Sequence, residues 1–170
     1  MTLKIKNLSL DGVFVYSPEV YFDERGCFYE NFNYLNFLSS TTINFNTNQE
    51  NISISKLDVI RGMHFQKKPF SQNKIIRVIK GRILDVVIDI RKDSPTFGKW
   101  LSYELNEAEN EILFVPSGFA HGFMALEDMT IISYKVDSPY NKNSECCILY
   151  NDPILGIKWL NKKPILSSKD

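Results

Sequence analysis

A chain of 170 residues with 20 acidic and 20 basic side chains has a formal net charge of zero, a balance that gives no pointer to nucleic acid or a membrane surface as a partner. No apolar run approaches the ~20 residues of a membrane span, and the N-terminus lacks the basic-then-apolar pattern of a signal peptide, so a cytoplasmic protein is expected. The cysteines, Cys27, Cys146 and Cys147, are odd in number with two adjacent, which suits reduced thiols better than a disulfide framework or a metal-ligand spacing.

One domain over residues 1–170, with a real core, is the expectation at this length. In chain order, residues 1–20 read as short strands, with Val13, Phe14 and Val15 inside Leu10–Tyr16 and a break at Ser17-Pro18. Glu24-Arg25-Gly26 reads as a turn leading into an aromatic strand. Asn33–Ser40 reads as a short helix with Tyr34, Leu35, Phe37 and Leu38 on its apolar side. From residue 43 onward strand follows strand: Asn48–Ser55, Ile75–Ile79, Ile83–Ile90, Trp100–Leu105, Glu111–Val115, Phe123–Leu126, Thr130–Val136 and Glu145–Tyr150. Lys80-Gly81 predicts a hairpin joining the second and third of these, and Glu127-Asp128 one joining the sixth and seventh. In Ile83–Ile90, Asp85 and Asp89 share one face, and Leu84, Val86, Ile88 and Ile90 the other. Short β segments without βαβ alternation predict an all-β double-sheet sandwich or barrel, with Asp152–Trp159 as an irregular C-terminal cap.

The chemistry is concentrated around two histidines, the only ones in the chain. His64 lies in Arg61-Gly-Met-His-Phe-Gln66, with Gln72 and Lys74 close behind. A neutral imidazole moves protons near pH 7, and a neighbouring cation can hold negative charge that develops during a reaction. A buried structural histidine is the plainer reading of His64 taken alone. The polar, cationic company of Arg61, Gln66, Gln72 and Lys74 argues for a pocket. His121 lies in Pro116-Ser-Gly-Phe-Ala-His-Gly-Phe123, read as a loop between strands with Gly118 at a tight turn. Pro116-x-Gly118-x-x-His121 resembles the second motif of the cupin superfamily, small jelly-roll barrels with a pocket at one mouth. The first motif here has Gln66 where metal-binding cupins have a histidine. Two histidines cannot make a three-histidine site. Two His and one carboxylate can hold iron, but the nearest carboxylates in sequence are Asp58 and Glu127.

A longer series of motifs resembles the dTDP-4-dehydrorhamnose 3,5-epimerase family of cupin-fold nucleotide-sugar epimerases. It runs through Phe22-Asp-Glu-Arg-Gly26, Gln49-x-Asn51, Arg61-Gly-x-His-Phe-Gln66, Gln72-x-Lys74 and Asp85-Val-x-x-Asp89-Ile-Arg91. It continues through Ser94-Pro-Thr-Phe-Gly98-x-Trp100, Pro116-x-Gly-Phe-Ala-His-Gly-Phe123, Tyr134-Lys135, Asn151-Asp152, Gly156-Ile-x-Trp159 and Leu166-Ser-x-Lys-Asp170. The resemblance implies a cupin jelly roll acting without metal or redox cofactor on a nucleotide-linked 4-keto-6-deoxy sugar. It implies His64 as the base at carbons 3 and 5, Asp170 as its carboxylate partner, Lys74 beside the enolate oxygen, and Tyr134 as the acid across the ring. His121 would be a second pocket histidine. Arg61, Gln49 and Asn51 would hold the pyrophosphate. Arg25, Glu30 and Phe22 would come from the other subunit of a homodimer through exchanged N-terminal strands, giving a shared site. Glu145 and Asp85 match pocket-side positions, and Asp85 equally fits a structural strand carboxylate. The chain departs from the family at Cys27, where an aromatic or apolar residue is usual, and after Trp159, where a proline is common; it also stops at Asp170.

Three functions compete. The first is full epimerisation at both carbons, giving dTDP-4-dehydro-L-rhamnose. The second is a relative that inverts one carbon or acts on another nucleotide sugar, such as a GDP-linked 4-keto-heptose, with Phe22 and Tyr140 as the aromatics that would stack the base. The third is a non-catalytic cupin that binds a sugar nucleotide. Retention of His64, Lys74, Tyr134 and Asp170 together speaks against the third.

Overall fold

The computed structural model describes residues 3–161 and 163–170; the first two positions of the stretch read as short strands lie outside it. Among the described residues the order is β1 (Lys4–Asn7), β2 (Phe14–Ser17), β3 (Val20–Asp23), β4 (Gly26–Tyr29), α1 (Tyr34–Thr41), β5 (Gln49–Ser55) and β6 (Ile60–Gln66). Then come β7 (Lys74–Lys80), β8 (Arg82–Asp89), β9 (Trp100–Asn106), β10 (Ile112–Val115), β11 (Phe119–Ala125), β12 (Thr130–Val136) and β13 (Glu145–Cys147). A six-stranded sheet runs β1-β2-β10-β7-β12-β5, a five-stranded sheet runs β13-β6-β11-β8-β9, and β3-β4 form a separate hairpin. The pairings within all three are antiparallel. The fold is all-β, a double-sheet jelly roll with one short helix. No helix among the described residues is long and apolar enough to cross a membrane.

Both expected hairpins are corrected by this topology. β7 pairs with β10 and β12, whereas β8 pairs with β11 and β9. β11 and β12 likewise lie in different sheets. The turn at Gly81 (φ +84°) therefore carries the chain from one sheet to the other. A Cβ there would meet Thr130 Oγ1 at 2.6 Å, so the crossing is tight. Alternation along a strand reports which face is buried, not which strand lies alongside.

The inner faces meet in a core built from Val15, Ile76, Val78, Leu113 and Ile132 of one sheet and Ile83, Val87, Leu105 and Phe123 of the other. β8 is buried on both faces. Its outer residues Leu84, Val86 and Ile88 pack under Tyr150, Leu155, Ile157 and Trp159 of the C-terminal cap, which explains its nearly continuous apolar run. The outer face of the six-stranded sheet is covered by an aromatic cluster of Phe14, Tyr16, Phe37, Phe45 and Phe114, with Phe14 stacked on Phe114 at 4.8 Å. α1 contributes Phe37 to it. Its expected apolar side is narrower than the sequence suggests, since Leu35 is 70 % exposed. Asn33 caps the helix by accepting from Asn36 N–H.

Candidate active site

β11 is the central strand of the five-stranded sheet and β6 lies beside it. Across that pair His64 and His121 stand directly opposite one another, so both imidazoles leave the same face. The expected loop position of His121 is thus corrected: it is inside β11, and the loop ends before Phe119. β6 itself, which carries His64, has no clear alternation in its sequence and was missed as a strand. Glycines let the two strands close up here. A Cβ on Gly62 (φ +141°) would lie 2.4 Å from Gly122 Cα.

The facing wall comes from the six-stranded sheet. Lys74 on β7 is paired with Val136 on β12, two residues beyond Tyr134, and all three side chains point inward. Between the walls is a cavity of about 580 Å³, within the range of small-ligand sites. Phe123, Ile132 and Val136 form its apolar part. Gln49, Asn51, Arg61, Tyr140, Glu145 and Lys169 are among its polar lining.

The C-terminal segment closes one side. Ile165 makes a parallel bridge to Val59, and this places Ser167, Lys169 and Asp170 at the cavity. The Asp170 carboxylate, 3 % exposed, has Oδ1 2.8 Å from His64 Nε2. The approach is close but out of line with the ring N–H direction, so Nε2 makes no well-formed hydrogen bond. The same carboxylate accepts from Gly62 N–H (3.2 Å), Ser167 N–H (3.0 Å) and Ser167 Oγ–H (2.6 Å). Burial pushes its pKa up, but these bonds outweigh burial and hold it below the usual carboxylate value. Burial pushes the His64 pKa down and prevails over the opposing attraction of Asp170, so the ring is neutral near pH 7.

Lys74 is buried, and burial lowers its pKa from 10.5 to about 8 against the attraction of Asp85. Its Nζ donates to the His64 carbonyl at 3.3 Å. Asp85, wholly buried, has Oδ2 2.8 Å from His121 Nε2. Tyr134 stays a phenol: burial raises its pKa, with Arg61 and Lys169 pulling the other way. Arg61 Nε donates to Ser55 Oγ at 3.2 Å and its Nη2 to the Ile54 carbonyl at 3.4 Å, bonds that hold its guanidinium at the cavity. Glu145 is ion-paired with Lys169 at 2.8 Å, which is the main reason its pKa is lowered.

Of the residues singled out from sequence, His64, Lys74, Tyr134, Asp170, Arg61, Gln49, Asn51, His121 and Glu145 all line this one cavity. Arg25, Phe22 and Glu30 do not line it within the chain. Arg25 and Phe22 belong to the β3-β4 hairpin, where Arg25 pairs with Asp23 at 2.5 Å and Phe22 is 78 % exposed. Glu30 accepts from the Asn33 and Asn36 amides at the start of α1. Among the described residues no three His, Cys, Asp or Glu side chains converge as a metal-ligand set.

The dTDP-4-dehydrorhamnose 3,5-epimerase family model matches residues 7–170. The chain belongs to that family. It is 39 % identical over 168 residues to the dTDP-4-dehydrorhamnose 3,5-epimerase of Shigella flexneri, covering 99 % of this chain and 93 % of that protein. The crystal structure of the Bacillus anthracis enzyme with TDP and pyrophosphate bound matches with a TM-score of 0.95 at 40 % identity, over 99 % of this chain and 97 % of that one. That of the Legionella pneumophila epimerase in complex with dTDP-4-keto-L-rhamnose matches with a TM-score of 0.94 at 38 % identity, over 99 % and 89 %. The double-sheet fold is accordingly a cupin jelly roll.

Lys169 is a cavity residue to which the reading of the sequence assigned no role, and the structure sharpens the parts of Gln66, Gln72 and Asp85. Lys169 places a third cation near Arg61 and Lys74, and only the tail's path reveals it. Gln66 and Gln72 do line the cavity, but their amides are spent on backbone: Gln66 Nε2 donates to the Phe70 and Pro139 carbonyls, and Gln72 Nε2 to that of Ser138. Asp85 sits behind His121 and out of contact with the cavity itself.

Proposed function

We propose that this protein epimerises a dTDP-linked 4-keto-6-deoxy sugar at carbons 3 and 5, turning dTDP-4-dehydro-6-deoxy-D-glucose into dTDP-4-dehydro-L-rhamnose. The observation that carries the proposal is the division of chemistry between the walls: a neutral imidazole on one sheet, a phenol and an ammonium on the other. The 4-ketone acidifies the C–H bonds on either side of it. His64 removes such a proton, and the electron pair enters an enolate. With Nε2 beside Asp170, Nδ1 is the nitrogen left to take the proton. The Lys74 ammonium stabilises the enolate oxygen. Tyr134 returns a proton to carbon 5 from the opposite face, and the phenolate so formed is steadied by Arg61 and Lys169. Stereochemistry inverts because the proton leaves toward one sheet and arrives from the other.

The polar rim suits the nucleotide diphosphate. Arg61 offers a planar fork of donors, Lys169 a second cation, and Gln49 and Asn51 amides. His121 lies beside the base and would contact the sugar. The reading also has one domain per chain, with Phe22, Arg25 and Glu30 reaching the site of a second copy in a homodimer. The exposed aromatics Phe22 and Phe28 (78 % and 72 %) on a hairpin free of its own chain's cavity support this. A cytoplasmic location accords with three unpaired cysteines.

The decisive experiment is solvent exchange. Incubation with dTDP-4-keto-6-deoxyglucose in deuterated water, followed by NMR, should place label at both carbons. Label at one carbon would identify a single-site epimerase, and label at neither would defeat the proposal. Mixing inactive His64→Ala and Arg25→Ala chains should restore activity if the site is shared between subunits, since the mixed dimer then holds one intact site. No recovery would sink the shared-site reading.

A further inference from the structure

Asp85 is a buried charged group beside the cavity that the mechanism above does not use. It is wholly buried. Its neighbours on the same face of β8, Ile83 and Val87, are buried aliphatic residues of the interior core. One oxygen, Oδ2, faces His121 Nε2 at 2.8 Å, and the other, Oδ1, is buried with no hydrogen-bond partner among the described residues. A half-satisfied carboxylate among aliphatics is a poor device for stability, since desolvation there costs more than one contact returns. An apolar residue would fill the position better. What the carboxylate does have is one contact with a cavity group, His121 on β11, and a place on the interior face between Ile83 and Val87, whose core partners include Ile76, two residues from Lys74 on β7.

We propose that Asp85 is a positioning residue for the reaction, joining His121 and Lys74 into one buried charge unit in which His121 presents Nδ1 to the substrate and the Lys74 ammonium is held charged. The inference rests on the epimerase reading for its catalytic meaning, but its physical content is independent of turnover. With Nε2 facing Asp85 at 2.8 Å, Nδ1 is the ring nitrogen left for the substrate. Among the described residues the Lys74 ammonium makes a single hydrogen bond, a long one to the His64 carbonyl. The other ionisable groups lining its cavity, besides His121, are Arg61 and His64 on β6, Tyr134 on β12, Tyr140 before β13, Glu145 on β13, and Lys169 and Asp170 on the tail. Glu145 is engaged by Lys169, and Asp170 by His64 and Ser167. Asp85 is the charge that favours the ammonium form of Lys74; burial in turn raises the Asp85 pKa, with His121 first and Lys74 after it pulling the other way.

The test follows Lys74 in protein carrying 13C at lysine Cε, with its signal assigned through Lys74→Arg, and the His121 tautomer by ring 15N shifts, both without substrate. Asp85→Asn should lower the Lys74 titration midpoint by about one pH unit or more and turn the single His121 tautomer into a mixture. In turnover, its deficit against the parent should be smaller at pH 6 than at pH 8, by about fivefold for a midpoint moved down one unit. In the Lys74→Arg background, where the cation does not titrate, Asp85→Asn should no longer move the alkaline limb. An unchanged Lys74 midpoint, or a mixed tautomer in the parent protein, overturns the proposal. If Asp85→Asn fails to fold, the parent's tautomer and the loss of the alkaline limb in Lys74→Arg decide it. If the parent shows no turnover at all, the epimerase reading fails while the NMR arms still judge Asp85.

Discussion

Replacing Lys74 by Met should make the protein more stable and nearly inactive. The ammonium is buried in the barrel, and the fold holds its pKa at about 8 where 10.5 is ordinary. That gap, at ~1.4 kcal/mol per pH unit, means the folded state carries about 3 kcal/mol of cost for keeping Lys74 charged at pH 7. The attraction of Asp85 is already inside that figure. The sign follows from proton counting. Between about 8 and 10.5 the unfolded chain binds the proton more readily than the folded one, so the parent gains stability as pH rises through this window. The cost is fully present below pH 8. Methionine has a similar length and no charge, so the variant should gain about 3 kcal/mol at pH 7, about 2 kcal/mol at pH 9, and little above 10.5. Urea denaturation at several pH values measures this directly, and kcat/KM should fall ~10²-fold or more. A variant less stable than its parent at pH 7, or an advantage that does not shrink on the alkaline side, would refute the reasoning.

The acid limb of kcat/KM should report His64 below its ordinary value of 6.5, because burial disfavours the imidazolium; a limb at or above 6.5 in a pH profile would contradict this. Tyr134→Phe should spare deuterium exchange at carbon 5 more than inversion there, since the base still removes the proton while the opposite face has lost its donor; NMR and product stereochemistry compare the two, and equal loss argues against the phenol as acid. Gly62→Ala should cost several kcal/mol in thermal or urea unfolding, as a Cβ there meets Gly122 Cα at 2.4 Å in a conformation that disfavours side chains; an alanine variant as stable as the parent would show that β6 and β11 can part freely.

The contents of the fold were more legible than its connections. β8 announced itself by length and by its paired carboxylates, but nothing local said that the chain changes sheets at Gly81. The partners of β7 and β8 come from residues 100–136, and pairing at that range leaves no mark in a short window. β6 escaped because its register shifts against β11 between His121 and Phe123, and Arg61-Gly-Met-His has no clean alternation. The cavity residues were legible as a set through family likeness, and the coordinates bring nine of them together. Asp85 could be placed on the interior face by parity alone. Its contact with His121 could not, because that depends on β8 and β11 lying side by side. Lys169 was hidden for a similar reason: only the Val59–Ile165 bridge turns the tail toward the cavity.

The two halves of the proposed reaction are anchored in different sheets, and the core side chains between them set much of the gap. Ile132, Phe123 and Val78 thus behave like shims. A methylene added or removed among them would alter the span between imidazole and phenol by a fraction of an ångström, enough to matter for hydrogen transfer. Variants at side chains with no part in the chemistry would in this way retune how often one carbon is inverted relative to the other, and relatives of differing selectivity invite comparison at these filler positions before their polar ones.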